Sequence, residues 1–193
     1  MFTVFPDDES REITRTSLNR MPDASDWIPG ERFTDILCEL GQPVTIHPKA
    51  WEYAIAIEGL ERLGMVRPDA RAIAVGAGTD PPLYYFANHI ARMVAIDLYD
   101  FPDNEGTPAM LEDPQSFAPF AYREDRLKVY LMQGDNLDFP DGSFDFLFCL
   151  SSLKHFGSRE GSARRSQSSV LIRRDQRMRF GVAGCDVGVG RLR

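Results

Sequence analysis

Hydrophobic and polar positions along the chain fall into alternating blocks of two kinds. "RAIAVGAG" (71–78), "VAIDLYD" (94–100), "RLKVYLMQGD" (126–135) and "FDFLFCLSSL" (144–153) hold short, nearly unbroken apolar runs bounded by glycine, proline or acids. Runs of that kind mark buried strands of a parallel sheet. Between them, "HPKAWEYAIAIEGLERLG" (47–64) sets Trp51, Ile55, Ile57, Leu60 and Leu63 at roughly helical intervals, with Gly64 where a helix should stop. "PPLYYFANHIARM" (81–93) predicts a second helix, and "GERFTDILCEL" (30–40) a shorter one. Strands alternating with helices predict an α/β fold, a Rossmann-like doubly wound and mainly parallel sheet, here truncated after the fourth strand.

The remaining segments break this pattern. Residues 1–45, interrupted by Pro6, Pro22, Pro29, Gly30 and Pro43, read as an N-terminal extension. Residues 99–125 are rich in proline, acids and aromatics, and are long for a connection, as a loop or lid over a site would be. Past Ser158 the periodicity stops. The expected organisation is therefore an extension (1–45), a partial α/β domain (46–158) and a basic tail (159–193). The tail reads either as disordered or as the product of a shifted reading frame.

Charge sharpens the division. From Arg159 to Arg193 there are nine arginines, no lysine and three acids, whereas residues 1–158 carry 13 basic against 26 acidic residues. An acidic body does not suit nucleic acid, whose phosphates need Lys and Arg, and it tolerates a cationic or zwitterionic ligand. No run approaches the roughly 18 apolar residues of a membrane span. The start, "MFTVFPDDESREITR", lacks the basic-then-apolar order of a secretory signal. Cys38, Cys149 and Cys185 are too scattered for a disulfide framework or a metal knuckle, so a cytoplasmic chain without a metal is expected.

The chemistry concentrates at "VGAGTDPP" (75–82). Gly76 and Gly78 follow an apolar strand, where a sharp turn and close ligand approach require the absence of Cβ. Asp80 occupies an expected helix N-cap position and Pro81 the first helical position. Asp97 ends the next strand 21 residues after Gly76, the spacing of an acid that holds a ribose hydroxyl. A dinucleotide site would need glycine where Pro81 stands, and Pro81 and Pro82 remove two N–H donors that a diphosphate would use. A phosphate-free adenosyl ligand with an amino-acid tail, S-adenosylmethionine, fits better.

The ordered run "AIAVGAGTDP…VAIDLYD…QGDNLDFPDGSFDFLFCLSSLKHFG" resembles the class I S-adenosylmethionine-dependent methyltransferases over about residues 47–157, the first four strands of a seven-stranded family. The resemblance implies that Gly76, Ala77 and Gly78 flank the methionine part of the cofactor and that Asp97 accepts both ribose hydroxyls. It further implies that Asp135, with Asn136 beside it, meets the adenine amino group, and that Leu150 and Ser151 line the transfer site. The sequence departs from the family at Ala74, where an acid is usual, at Asp80 in place of a third glycine, and at Lys154 in place of glutamate. It also lacks the "LKPGG"-like turn before a fifth strand. His155 is the candidate catalytic base, since imidazole takes a proton near neutral pH. The implied activity is methyl transfer to a small-molecule acceptor, with no nucleic-acid or membrane partner and no oligomeric state specified. A non-catalytic, cofactor-binding remnant and a nicotinamide-dependent oxidoreductase are the alternatives.

Overall fold

The structure, a computed structural model, describes residues 21–99, 109–134, 136–150 and 152, together with the strands at 170–173 and 188–190. Four strands form its parallel unit: β1 (Arg71–Val75), β2 (Arg92–Asp97), β3 (Leu127–Leu131) and β4 (Phe146–Leu150). β2 and then β3 add on one side of β1, and β4 returns to the other side, giving the order β3-β2-β1-β4. The order reverses between β1 and β4, and in open α/β sheets a crevice forms at such a reversal, outside the carboxyl ends of the strands.

Two shorter strands extend the sheet beyond β4, in the stretch that the sequence reads as a tail. β5 (Val170–Arg173) pairs antiparallel with β4, and β6 (Gly188–Gly190) pairs parallel with β5. They coincide with "VLIR" and "GVG", short apolar runs within an arginine- and glycine-rich sequence.

Side chains of the strands alternate between two cores. Ala72, Ala74, Met93, Ala95, Phe146 and Phe148 face a large cluster that contains α1 (Arg32–Glu39), α2 (Pro48–Arg62) and α3 (Pro82–His89). Three alanines at this interface let the helices lie close on the sheet. Ile73, Val75, Val94, Ile96, Leu147 and Cys149 face the other way, covered in part by Met132, Leu137 and Phe139 of the β3–β4 connection. Apolar side chains on both faces explain why the strands read as continuous hydrophobic runs rather than alternating ones.

Helix α2 is buried over most of its circumference, from Ala50 to Ile57 and again at Gly59 and Leu60. His47 caps its start by accepting the Lys49 amide at 3.2 Å, Pro48 occupies the first turn, and Gly64 ends it at φ 64°. α3 buries Leu83, Tyr84 and Phe86, each worth roughly 1.5–3 kcal/mol of transfer free energy. Phe86 packs its ring against Phe146 and Phe148 at centroid distances of 5.6 and 5.1 Å, which fastens α3 to β4.

The segment after β2 is anchored rather than loose where it is described. It holds the single turn α4 (Ala109–Glu112). Tyr84 donates its hydroxyl to Pro114 O at 3.0 Å and meets Tyr122 edge-on, and Asn88 bonds Ala121 O and the Arg123 amide.

α1 is tied to α2 and α3 by one carboxylate. Glu61 accepts from Arg32 Nε at 2.9 Å and from the Tyr85 hydroxyl at 2.6 Å. Burial works against its ionisation, but the hydrogen bonds from Arg32 and Tyr85, with the charges of Arg32 and His89, outweigh that and hold the carboxyl below its ordinary range.

Candidate functional site

The turn after β1 is shaped by two left-handed glycines, Gly76 at φ 65° and Gly78 at φ 49°. A residue with Cβ pays about 1–2 kcal/mol for that conformation, which explains glycine at both places. The backbone then folds onto the neighbouring strand. Ala77 N donates to Ile96 O at 3.0 Å, and Gly78 N donates to Asp97 Oδ2 at 2.9 Å. Asp97 is half-buried at the end of β2, and its other oxygen accepts the Tyr99 amide at 3.2 Å. A carboxylate has about four lone-pair sites, so, counting bonds from the described residues, two remain for a ligand.

Further along the turn, the Asp80 amide bonds Ala77 O and the Leu83 amide bonds Asp80 O, while Pro81 and Pro82 have no N–H. Most amides of this loop are therefore engaged within the protein or lacking, unlike a loop that cradles phosphate.

Asp80 does not cap α3, contrary to the sequence expectation. Pro81 takes the cap position, with no side-chain bond, and the helix begins at Pro82. Tertiary partners claim the carboxylate instead: Tyr53 donates its hydroxyl to Oδ1 at 2.7 Å, and Lys49 Nζ lies 3.2 Å from Oδ2. Burial pushes the Asp80 carboxyl up from its ordinary value, opposed by Lys49 and Tyr53. Burial, and then the Asp80 charge, push the Tyr53 hydroxyl up as well. Lys49 also reaches Leu150 O at 3.4 Å and buried Glu52 at 3.4 Å. On the far side of the turn, Ser152 Oγ donates to Gly76 O at 2.9 Å.

The structure thus gathers Gly76, Ala77, Gly78, Asp97 and Leu150 around the carboxyl ends of β1, β2 and β4. Asn136 lies beyond the end of β3, where its amide closes a turn on Gln133 O at 3.1 Å. Asp135, Ser151 and His155 lie outside the described residues. Sequence reasoning missed Lys49, Glu52, Tyr53 and Ser152. One signal was present: three polar residues at 49, 52 and 53 lie in the first turns of the helix, just ahead of the apolar run 54–57. Among the described residues, no group of three or more His, Cys, Asp or Glu is placed to hold a metal ion, and no helix is long and apolar enough to cross a membrane.

The profile of a family described as "Methyltransferase domain" matches residues 73–171, just over half of the chain, from the middle of β1 through β2, β3 and β4. The chain belongs to the class I S-adenosylmethionine-dependent methyltransferase family. Two solved structures are similar to this methyltransferase domain. One is the YcgJ protein from Bacillus subtilis, 21% identical, with 56% of this chain and 43% of that one covered and a TM-score of 0.41. The other is the (4+2)-cyclase SpnF, 15% identical, with 60% of this chain and 56% of that one covered and a TM-score of 0.37. This methyltransferase chain spans about half the length of the solved proteins it matches. No curated protein sequence matches it.

Proposed function

We propose that the chain binds S-adenosylmethionine across the carboxyl ends of β1, β2 and β4 and transfers its methyl group to a small-molecule acceptor. The observation that carries this reading is the pairing of Asp97 with a turn poor in free amides. A half-buried carboxylate with lone pairs to spare suits a ribose diol, and engaged or missing N–H groups suit a ligand without phosphate. The same feature disfavours a nicotinamide dinucleotide, whose diphosphate would seek those amides.

Bound there, the cofactor supplies a methyl group already activated by its sulfonium. The residues have the task of positioning. Asp97 holds the sugar, and Gly76, Ala77 and Gly78 admit the ligand against bare backbone. Leu98, 52% exposed beside Asp97, offers an apolar shelf for the base, and Asp135 and Asn136 keep the adenine-binding role that the resemblance implies. Leu150 and Ser151 line the transfer side, and His155 accepts the acceptor's proton. Holding two reactants in line accounts for a large share of such a rate enhancement.

Calorimetric titration with S-adenosylhomocysteine, run beside Asp97→Ala, tests this reading. Binding by the unaltered chain is expected, with a loss of about 1.5–3 kcal/mol in the variant, as for hydrogen bonds to a charged group. Equal affinity in both proteins would refute the role of Asp97. Stabilisation by NADH but not by S-adenosylhomocysteine would refute the cofactor.

A further inference from the structure

Strand β3 ends the sheet: it pairs with β2 on one side and with no described strand on the other. Met132 N donates to Asp97 O at 3.0 Å. Backbone groups of a strand alternate sides, so those of Lys128 and Tyr130 also face β2, and those of Leu127, Val129 and Leu131 face outward. Leu127 N donates to Glu124 O. The outward amides of Val129 and Leu131 meet no backbone partner among the described residues. Such an open row is a template for another strand.

The side chains along this edge are apolar for a strand left in water. Tyr130 is 43% and Leu131 63% exposed, and Leu111, also exposed, belongs to α4, which packs against β3. These are three of the eight large apolar side chains exposed among the described residues. Sheet edges in monomers are commonly blunted by proline or charge. Here no proline interrupts residues 126–133, and Lys128 is the one charge between Leu127 and Leu131.

We infer that β3 is a self-association edge, which pairs antiparallel with β3 of a second copy of this chain about a two-fold axis through Val129. That register sets Leu127 opposite Leu131 of the second copy and Lys128 opposite its Tyr130. Val129 exchanges hydrogen bonds with its counterpart, and each Leu131 amide reaches the other copy's Leu127 carbonyl. Lys128 and Tyr130 share the strand face on which Tyr130 meets Phe139 at a centroid distance of 6.2 Å. Each ammonium therefore faces the other copy's phenol ring, as a cross-strand cation–π pair. Neighbouring registers fit worse. An axis through Lys128 opposes two ammonium groups, and one through Tyr130 sets Leu127 against Gln133. One patch used twice closes at two copies, so the product is a dimer and not a filament. β2 separates β3 from the reversal between β1 and β4, so the pairing leaves the crevice open and stands apart from the cofactor assignment.

Sedimentation equilibrium of the full chain tests this, over about 1 to 200 µM to suit a small contact. The unaltered chain should pass from one copy to two across that range. Tyr130→Lys sets like charges opposite each other at both pairs and should weaken the dimer at least about tenfold. Adding Lys128→Glu to that variant restores opposite charges and should recover the dimer, a gain that a misfolded variant cannot mimic. Val129→Pro removes an outward amide without touching the β2 ladder, so the dimer should be lost while the circular dichroism spectrum is kept. Should proline disturb the spectrum, the charge rescue decides. A monomer throughout the range, assemblies that grow beyond two copies, or a double variant as weak as Tyr130→Lys each overturn the inference. A dimer that survives Val129→Pro overturns it as well.

Discussion

Asp97 accepts the amide of Gly78 at 2.9 Å, so the end of β2 and the turn after β1 form one hydrogen-bonded unit. The carboxylate that is offered to a ligand also holds the loop against which that ligand would lie. Replacing it therefore has two separable effects. Asp97→Asn keeps an oxygen that can accept the Gly78 amide but loses the charge. Its melting temperature should stay close to that of the unaltered chain while S-adenosylhomocysteine affinity falls. Asp97→Ala should lose both affinity and about 1 kcal/mol of stability, the worth of a typical hydrogen bond. Paired melting and titration curves distinguish the two variants.

Gly78 has open space around its Cα, with nothing within 4 Å of an added Cβ. The cost of Gly78→Ala is then conformational rather than steric, about 1–2 kcal/mol for a left-handed φ of 49°. Gly78→Asn should cost less, because asparagine tolerates that region. Urea midpoints for the two variants check the order, and a larger loss for asparagine would show that the space is needed.

Phe86 is fully buried between α3 and β4. Phe86→Ala should destabilise the fold by about 3–5 kcal/mol, as expected when a buried aromatic leaves a cavity. Equilibrium unfolding at an unchanged denaturant slope would confirm a packing effect, whereas a changed slope would point to a different native or denatured state.

Glu61 predicts an acid limb in stability. Its carboxyl lies below the ordinary range in the folded chain, so its contribution is present above the unfolded value of about 4.3 and is lost as pH falls through the folded value. Asp80 has the opposite sign. Its raised folded value favours the protonated fold, and that contribution disappears as pH rises through the raised value. Urea midpoints followed from neutral to acid pH should drop in the unaltered chain and drop less steeply in Glu61→Gln. An unchanged profile in that variant would show that the tie to Arg32 and Tyr85 carries no linkage.

The parallel strands and three of the helices can be read in the sequence because local chemistry and tertiary context agree there. The runs "AIAV", "MVAI" and "FLFCL" are apolar on both faces, and each face has a core to meet. His47 and Gly64 mark the ends of α2 by their own backbone geometry. Gly76, Gly78 and Asp97 are visible for the same reason, since a turn and a strand end announce themselves locally.

The Lys49–Asp80–Tyr53 cluster is not visible in this way. Lys49 lies 31 residues from Asp80 and 101 from Leu150, and no periodicity reports such a pairing. Asp80 shows the cost of a local rule: by position it is a helix cap, and a tyrosine 27 residues upstream takes the oxygen. Asp135, Ser151 and His155 fall outside the described residues.

The family match begins at residue 73, yet the side chains that fix Asp80 come from α2, which ends at Arg62. A polypeptide trimmed to the matched stretch would discard this helix and with it Ile57 and Leu60, both wholly enclosed. Excision at that border would strip the sheet of a covering layer and the crevice of its cation in one cut. The working unit of this molecule starts upstream of its first strand and takes in at least the helix that His47 initiates.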